Sequence, residues 1–317
     1  MLIYDNKNLF LNLTYKCNAF CKKCMTRYHQ KKNLDMDINL LKYVISKLKF
    51  HNYSNLISMG CGEPLLYTHC SEAIQGLLEI NDSVRLRILT NGMALSSDLP
   101  EFYFDKRVTW GVTVDGFTQN DLHNIQQGVN IELVKENIRK IVSKYGADSI
   151  YLNYTLYSTN YDSLVEFYKF AVSLSIKDVY VTRLRVFEGY ETRLQGLNVV
   201  DNEHLYRIKK KVNQIAGCAG IKIKGIDKKD DAFEKYCFKR NGTMPIIDVD
   251  GSLSFCCGRE DVIIGNICDS DIEVKWENML NRLNNEASIW CNKCRNCALP
   301  NGSYCLPKTI KVKDCHF

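Results

Sequence analysis

Residues 9–24 read Leu9-Phe10-Leu11-Asn12-Leu13-Thr14-Tyr15-Lys16-Cys17-Asn18-Ala19-Phe20-Cys21-Lys22-Lys23-Cys24. Leu9 to Thr14 predict a strand, and it runs straight into three cysteines with C-x3-C-x2-C spacing. Three thiolates can hold three irons of a cubane cluster and leave the fourth without a protein ligand, whereas an electron-transferring cluster normally has four cysteines. An open iron invites a small-molecule ligand. Zinc is the competing metal for three closely spaced cysteines. The strand before them, and the pattern that follows, weigh against it.

That pattern alternates. A helix is expected from Leu40 to Leu48, capped by Asp37 or Asn39, with Leu41, Val44, Ile45 and Leu48 on its apolar face. Further strands are expected at 56–59, 84–89, 108–114, 150–156 and 178–184, and helices at 71–80, 131–144, 163–174 and 202–215. Six strands, each followed by a helical pattern, imply a parallel sheet. The handedness of the crossovers curls such a sheet into a full or partial barrel. The expected fold class is therefore α/β, a partial (β/α)6 TIM-like barrel. Its catalytic groups belong on loops after strand C-termini, where the cysteine loop falls.

The 317 residues are 45% hydrophobic and 25% charged, an ordinary globular composition. A chain of this length needs no metal or disulfide merely to fold. The net charge of +6 reads as an evenly solvated surface, and no nucleic-acid partner is expected. Met1 to Lys7 lack a signal-peptide pattern, and no apolar run approaches the ~18 residues of a membrane helix. A cytoplasmic protein with no membrane partner is the expectation.

In that reducing compartment fifteen cysteines, an odd number, argue for metal or cluster ligation over disulfides. Five lie from Cys17 to Cys70, none between there and Cys218, and ten from Cys218 onward, which implies two ligand sets. Gly217, Gly220, Gly225 and the charged run around Lys222 to Asp231 suggest a linker at 218–232, although a solvated loop inside one domain would look the same. The expected domains are a barrel over 1–217 and a small cysteine-rich α+β unit over 233–317.

The triad's spacing resembles the signature of the radical S-adenosylmethionine (SAM) superfamily, in which the methionyl amino and carboxylate groups chelate the fourth iron. Gly60-Cys61-Gly62-Glu63-Pro64, after the second strand, is similar to that family's Gly-Gly-Glu-Pro motif, with Cys61 in place of the first paired glycine. The resemblance implies that Cys61, Gly62, Glu63 and Pro64 meet the methionyl end of SAM. It places Asn91 of Thr90-Asn91-Gly92, and Thr113 of Thr113-Val114-Asp115-Gly116, against the nucleoside. Arg183, at the end of the sixth strand, would contact the SAM carboxylate or ribose, or form a surface salt bridge. Taken singly, the Asn-Gly and Asp-Gly pairs are also turn dipeptides. Two departures stand out: Lys23 replaces the aromatic residue usual before the last cysteine, and Leu122 to Gly128 carry Gln where many relatives have Arg.

The C-terminal cysteines resemble the SPASM module, an extension of radical SAM enzymes that binds auxiliary [4Fe-4S] clusters. Cys237, thirteen residues, Gly251, four residues and Cys256 match its opening, with Asp250-Gly251 reading as a hairpin turn. The later spacing, Cys291-x2-Cys294-x2-Cys297-x7-Cys305, departs from the usual C-x2-C-x5-C-x3-C. The resemblance implies an inner cluster on Cys237, Cys256 and Cys305, and an outer one on Cys291, Cys294, Cys297 and Cys315. The inner fourth ligand stays open among Cys257, Cys268, Cys218 and a substrate atom, and a single-cluster "twitch" form or a zinc knuckle remain alternatives. Cys257, beside a ligand, is a cluster ligand, a buried cysteine or a hydrogen-atom donor to a substrate radical.

A peptide substrate is what the resemblance implies first, modified by epimerisation, thioether or cross-link formation, or oxidation. The second reading is a small-molecule dehydrogenase or epimerase acting on an aminosugar or cyclitol. A third, of another class, is a non-catalytic metal-binding regulator. The enzyme readings imply a reducing electron donor such as flavodoxin or ferredoxin.

Overall fold

The computed structural model describes residues 3–24, 31, 33–123, 125–184, 202–218, 222–224, 244–255 and 263–285. The chain begins with β1 (Asn8–Leu11), β2 (Phe20–Cys21), α1 (Ile38–Phe50), β3 (Leu56–Met59), α2 (Cys70–Leu78), β4 (Arg85–Thr90) and β5 (Val108–Thr113). It continues through α3 (Gln119–His123), β6 (Gln126–Gln127), α4 (Ile131–Tyr145), β7 (Ile150–Leu156), α5 (Ser163–Ser173), β8 (Asp178–Arg183) and α6 (Asn202–Cys218). The last described elements are β9 (Lys222–Lys224), β10 (Ile246–Ile247), β11 (Ser252–Ser254), β12 (Gly265–Asn266) and α7 (Ile272–Asn285).

One sheet carries the molecule, in the order β12-β11-β10-β1-β3-β4-β5-β7-β8-β9. From β10 to β9 every neighbouring pair is parallel, as βα connections require. Helices cover one face. Val108, Trp110 and Val112 of β5 are buried there, where Trp110 stacks on Tyr103 and donates to its carbonyl at 2.8 Å. Tyr154 of β7 packs on Phe167 of α5 on the same side. Because side chains alternate along a strand, Thr109, Thr113, Asn153 and Thr155 point to the other face, where all four are only half-buried. That face is the lumen of an open, partial barrel.

The sequence expectations hold for the six barrel strands and the helices between them. Asp37 is the cap of α1, accepting from Asn39 N at 2.8 Å and Leu40 N at 3.4 Å. One crossover departs from the alternation: β4 and β5 are joined through a 3-10 turn, Glu101–Phe104. Pro100 at its start disfavours a helical conformation for Leu99. In the stretch read as a linker, Lys222–Lys224 add a strand beside β8. The Asp250-Gly251 hairpin forms, and β10 seats it on β1, so that it continues the barrel sheet. Among the described residues no helix is long and apolar enough to cross a membrane.

Candidate active site

The loop after β1 leaves and returns through a stem. Thr14 and Asp35 form an antiparallel bridge, flanked by Tyr15 N donating to Leu34 O and Met36 N to Leu13 O, both at 2.8 Å. The Asp35 carboxylate ties the stem further, accepting from Thr14 Oγ1 and Lys16 Nζ, each at 2.6 Å. Beyond the stem, β2 pairs antiparallel with β6, with Cys21 opposite Gln126. Cys17, Cys21 and Cys24 are free thiols, all half-buried. Burial pushes the Cys17 thiol up to about 11 and Cys21 higher still, and charge on a neighbouring cysteine adds to both shifts. The three thiols share one loop, but among the described residues no group of three Cys, His, Asp or Glu side chains is arranged to hold a metal ion.

The segment after β3 presses against this loop. Glu63 N donates to Lys16 O at 2.7 Å. Gly62 has φ +62°, and a Cβ there would lie 2.5 Å from Thr14 O and 2.6 Å from Lys16 O. Only glycine fits against backbone so close. Cys61 shares the left-handed conformation at φ +64°, a strained state for a residue with a Cβ. Pro64 opens a 3-10 turn, Pro64–Leu66.

Glu63 itself is 1% exposed. Its carboxylate accepts from Thr90 Oγ1 at 2.7 Å and Asn91 N at 2.8 Å at the end of β4. Burial raises its pKa, while the donors from Asn91, Thr90 and Leu65 oppose that shift. Asn91, so fixed, turns its amide to the cysteine loop, with Nδ2 2.7 Å from Asn18 Oδ1 and 3.9 Å from Cys17 Sγ. A continuous polar path therefore runs from the Gly62-Glu63-Pro64 turn, through Thr90 and Asn91, to the first cysteine.

Lys23 reaches from the loop to the ends of β5 and β7. Its Nζ stands 2.5 Å from Asp115 Oδ2 as an ion pair and donates to Thr155 Oγ1. The Asp115 side chain is fully buried. Its other oxygen accepts from Thr155 N at 2.8 Å, and its backbone carbonyl accepts from Asn160 Nδ2 at 2.6 Å. Gln126 bridges the same corner, accepting from Asp115 N and donating to the Thr113 carbonyl, both at 3.2 Å.

The profile of the Radical SAM superfamily matches residues 11–171, a span that begins at the end of β1 and takes in the cysteine loop, the Glu63 turn, Asn91 and Thr113. The chain belongs to the radical SAM superfamily. Members of this superfamily bind a [4Fe-4S] cluster and SAM, and the donor types here fit that pair: three free thiols carried on one loop at C-x3-C-x2-C spacing, with Ala19 N and Asn91 Nδ2 directed at Cys17 Sγ.

An uncharacterized protein of Methanocaldococcus jannaschii is 25% identical over 274 residues, covering 84% of this chain and 90% of its own. Among solved structures, Streptococcus suis SuiB bound to S-adenosylmethionine has a TM-score of 0.69 at 13% identity, over 87% of this chain and 67% of that one. anSMEcpe with bound AdoMet and the Cp18Cys peptide has a TM-score of 0.67 at 16% identity, over 92% and 88%. SuiB is also known bound to the precursor peptide SuiA. At these identities the likeness is one of fold.

The radical SAM loop, the Cys61 to Pro64 turn and Asn91 are thus brought together, and the Thr113 carbonyl joins them through Gln126. Arg183 closes β8 opposite Leu156. Cys268 is exposed. Cys237, Cys256, Cys257, Cys291, Cys294, Cys297, Cys305 and Cys315 lie outside the described residues. Sequence reasoning noted Lys23 and the Gln pair as departures from the family but missed that both are structural partners of this loop. Asp115, between Val114 and Gly116 just past the end of β5, was the available signal.

Proposed function

We propose that this radical SAM chain abstracts a hydrogen atom from a peptide, as a maturation enzyme acting on a ribosomal peptide or a protein side chain. The observation that carries the reading is the three-thiol loop braced from the β3 and β4 ends by Glu63 and Asn91. When bound, the cluster and SAM supply one electron and a 5′-deoxyadenosyl radical. The chain's own residues do the holding. Cys17, Cys21 and Cys24 ligate three irons and leave the fourth for the methionyl group. The Cys61-Gly62 backbone, Asn91 and Thr113 line the SAM side, and Arg183 is assigned to the same cofactor. Glu63, with both carboxylate oxygens engaged, acts as a positioning residue for Asn91.

Support for a peptide is that SuiB and anSMEcpe, which share the fold, bind peptides. We assign the C-terminal cysteines to a SPASM-type unit, with Cys237, Cys256 and Cys305 on one auxiliary cluster and Cys291, Cys294, Cys297 and Cys315 on another. Cys257 is assigned as hydrogen-atom donor for an epimerising outcome; electron removal by an auxiliary cluster would give oxidation or a cross-link instead.

The test is anaerobic reconstitution with iron and sulfide, followed by SAM and dithionite. 5′-Deoxyadenosine should form with the wild-type protein and be lost when Cys17, Cys21 and Cys24 are replaced by Ala. A reconstituted wild type that never cleaves SAM sinks the enzyme reading.

A further inference from the structure

The lumen face of the sheet carries a cation that the cofactor site does not use. Arg87 is the third residue of β4, between Leu86 and Ile88, which are buried on the helix side. It therefore points into the lumen, where it is half-buried. Its guanidinium carbon lies over the Tyr151 ring, 5.3 Å from the centroid, and Tyr180 meets Tyr151 edge-on at 5.5 Å.

Gly111, paired with Tyr151 across the sheet, makes this platform possible, because a Cβ there would run into the Tyr151 ring. The neighbouring cations are committed elsewhere: Lys23 to Asp115, and Arg85 to the carbonyls of Asp82 and Val84. Among the described residues Arg87 makes no ion pair and no hydrogen bond to a carbonyl.

A stacked guanidinium is held by its face, while its N–H donors lie along the edges in a fork that matches carboxylate or phosphate. Arg87 is half-buried and none of its nitrogens is sealed from solvent, so an incoming carboxylate or phosphate can replace that water with a charge-assisted, two-point pair. We propose that Arg87, laid on Tyr151, is a recognition site for an anionic group of the substrate, a carboxylate or a phosphate, on the floor of the lumen. This rests on the hydrogen-abstraction reading above, since the anion belongs to that reaction's substrate. Arg87 precedes Thr90 by three residues, and a strand rises about 3.3 Å per residue, so the anion sits roughly 10 Å below the strand ends that hold the cofactor. The substrate should then carry its negative group about that far from the reacting carbon, as a peptide with an acidic side chain can. A purely cationic aminosugar offers nothing to this site.

The experiment is calorimetric titration of the reconstituted enzyme, anaerobically and at low ionic strength, with inorganic phosphate and with N-acetylglutamate N-methylamide. The glutamine counterpart is the neutral control. Wild type should bind one of the two anions saturably, and whichever binds more tightly separates a phosphate group from a carboxylate. Arg87→Gln should weaken that binding about tenfold or more, and Arg87→Lys less, since lysine keeps the charge and loses the fork. No saturable binding to either anion, or equal affinity in wild type and Arg87→Gln, overturns the assignment.

If circular dichroism shows Arg87→Gln to be misfolded, Arg87→Lys carries the test, with undiminished affinity counting against the site. SAM cleavage by wild type is assayed alongside. Anion binding without 5′-deoxyadenosine fails the radical chemistry alone, and 5′-deoxyadenosine without anion binding fails Arg87 alone.

Discussion

At the scale of single residues, the replacement of an aromatic by Lys23 is answered by the protein elsewhere. A carboxylate buried as fully as Asp115 needs a compensating charge, and the ammonium of Lys23 is the cation the structure places beside it. Removing one member of a buried pair is far more costly than removing both, because the survivor stays desolvated and uncompensated. Lys23→Met should therefore destabilise the protein by about 3–5 kcal/mol in urea unfolding. Lys23→Met combined with Asp115→Asn should recover a large part of that loss, giving a coupling energy well above the scatter of independent sites. Additive effects of the two changes would show that the pair does not hold the loop. The sequence motif Thr113-Val114-Asp115-Gly116 made Asp115 visible as a strand-end residue, whereas its partner was visible only as a mismatch. Pairing between positions 23 and 115 is a tertiary fact, and no local pattern encodes it.

At the scale of elements, the short α3 and β6 decide whether the cysteine loop has its second support. Thr118 and Asp121 form a reciprocal cap at the start of α3: Asp121 N donates to Thr118 Oγ1 at 3.2 Å, and Thr118 N to Asp121 Oδ2 at 2.8 Å. The same carboxylate accepts from Phe117 N at 3.1 Å and from the Ser163 hydroxyl of α5. Burial by itself would raise the Asp121 pKa, but the donors from Ser163, Thr118 and Phe117 outweigh it and hold the carboxyl below its ordinary value. A depressed folded pKa means that the contribution is complete above the unfolded value, about 3.9, and is lost as pH falls through the folded one. Asp121→Ala should cost about 1–2 kcal/mol at pH 7, and the difference from wild type should shrink as unfolding is repeated toward pH 3. A penalty independent of pH would assign the loss to packing. The long barrel strands were legible because their two-residue alternation and apolar content persist over several residues. β2 and β6 were not, since each is two residues long and Gln126-Gln127 has no apolar pattern to read.

At the scale of the whole molecule, the C-terminal hairpin is part of the barrel sheet. Phe10 N donates to Pro245 O and Asn12 N to Ile247 O, both at 2.9 Å. Asp248 accepts from Asn12 Nδ2 at 3.0 Å, and Lys31, on the return arm of the cysteine loop, pairs with Asp248 at 2.7 Å and Asp250 at 2.6 Å. These contacts join positions more than two hundred residues apart, which no local sequence pattern encodes. The hairpin nonetheless has its own frame. Asp248 N donates to Ser252 O at 2.9 Å and Ile267 N to Gly251 O at 2.8 Å, over a core of Leu253, Phe255, Ile267 and Trp276. None of those bonds passes through Cys17, Cys21 or Cys24. If the later cysteines hold two auxiliary clusters, replacing the three early cysteines by Ala should leave them loaded. Iron and sulfide should then fall from about twelve of each per chain to about eight, at four per cluster. A residue of about four would leave room for one auxiliary cluster only. A value near zero would mean that the later cysteines hold none on their own, and the product-determining role proposed for that unit would have to move back to the barrel.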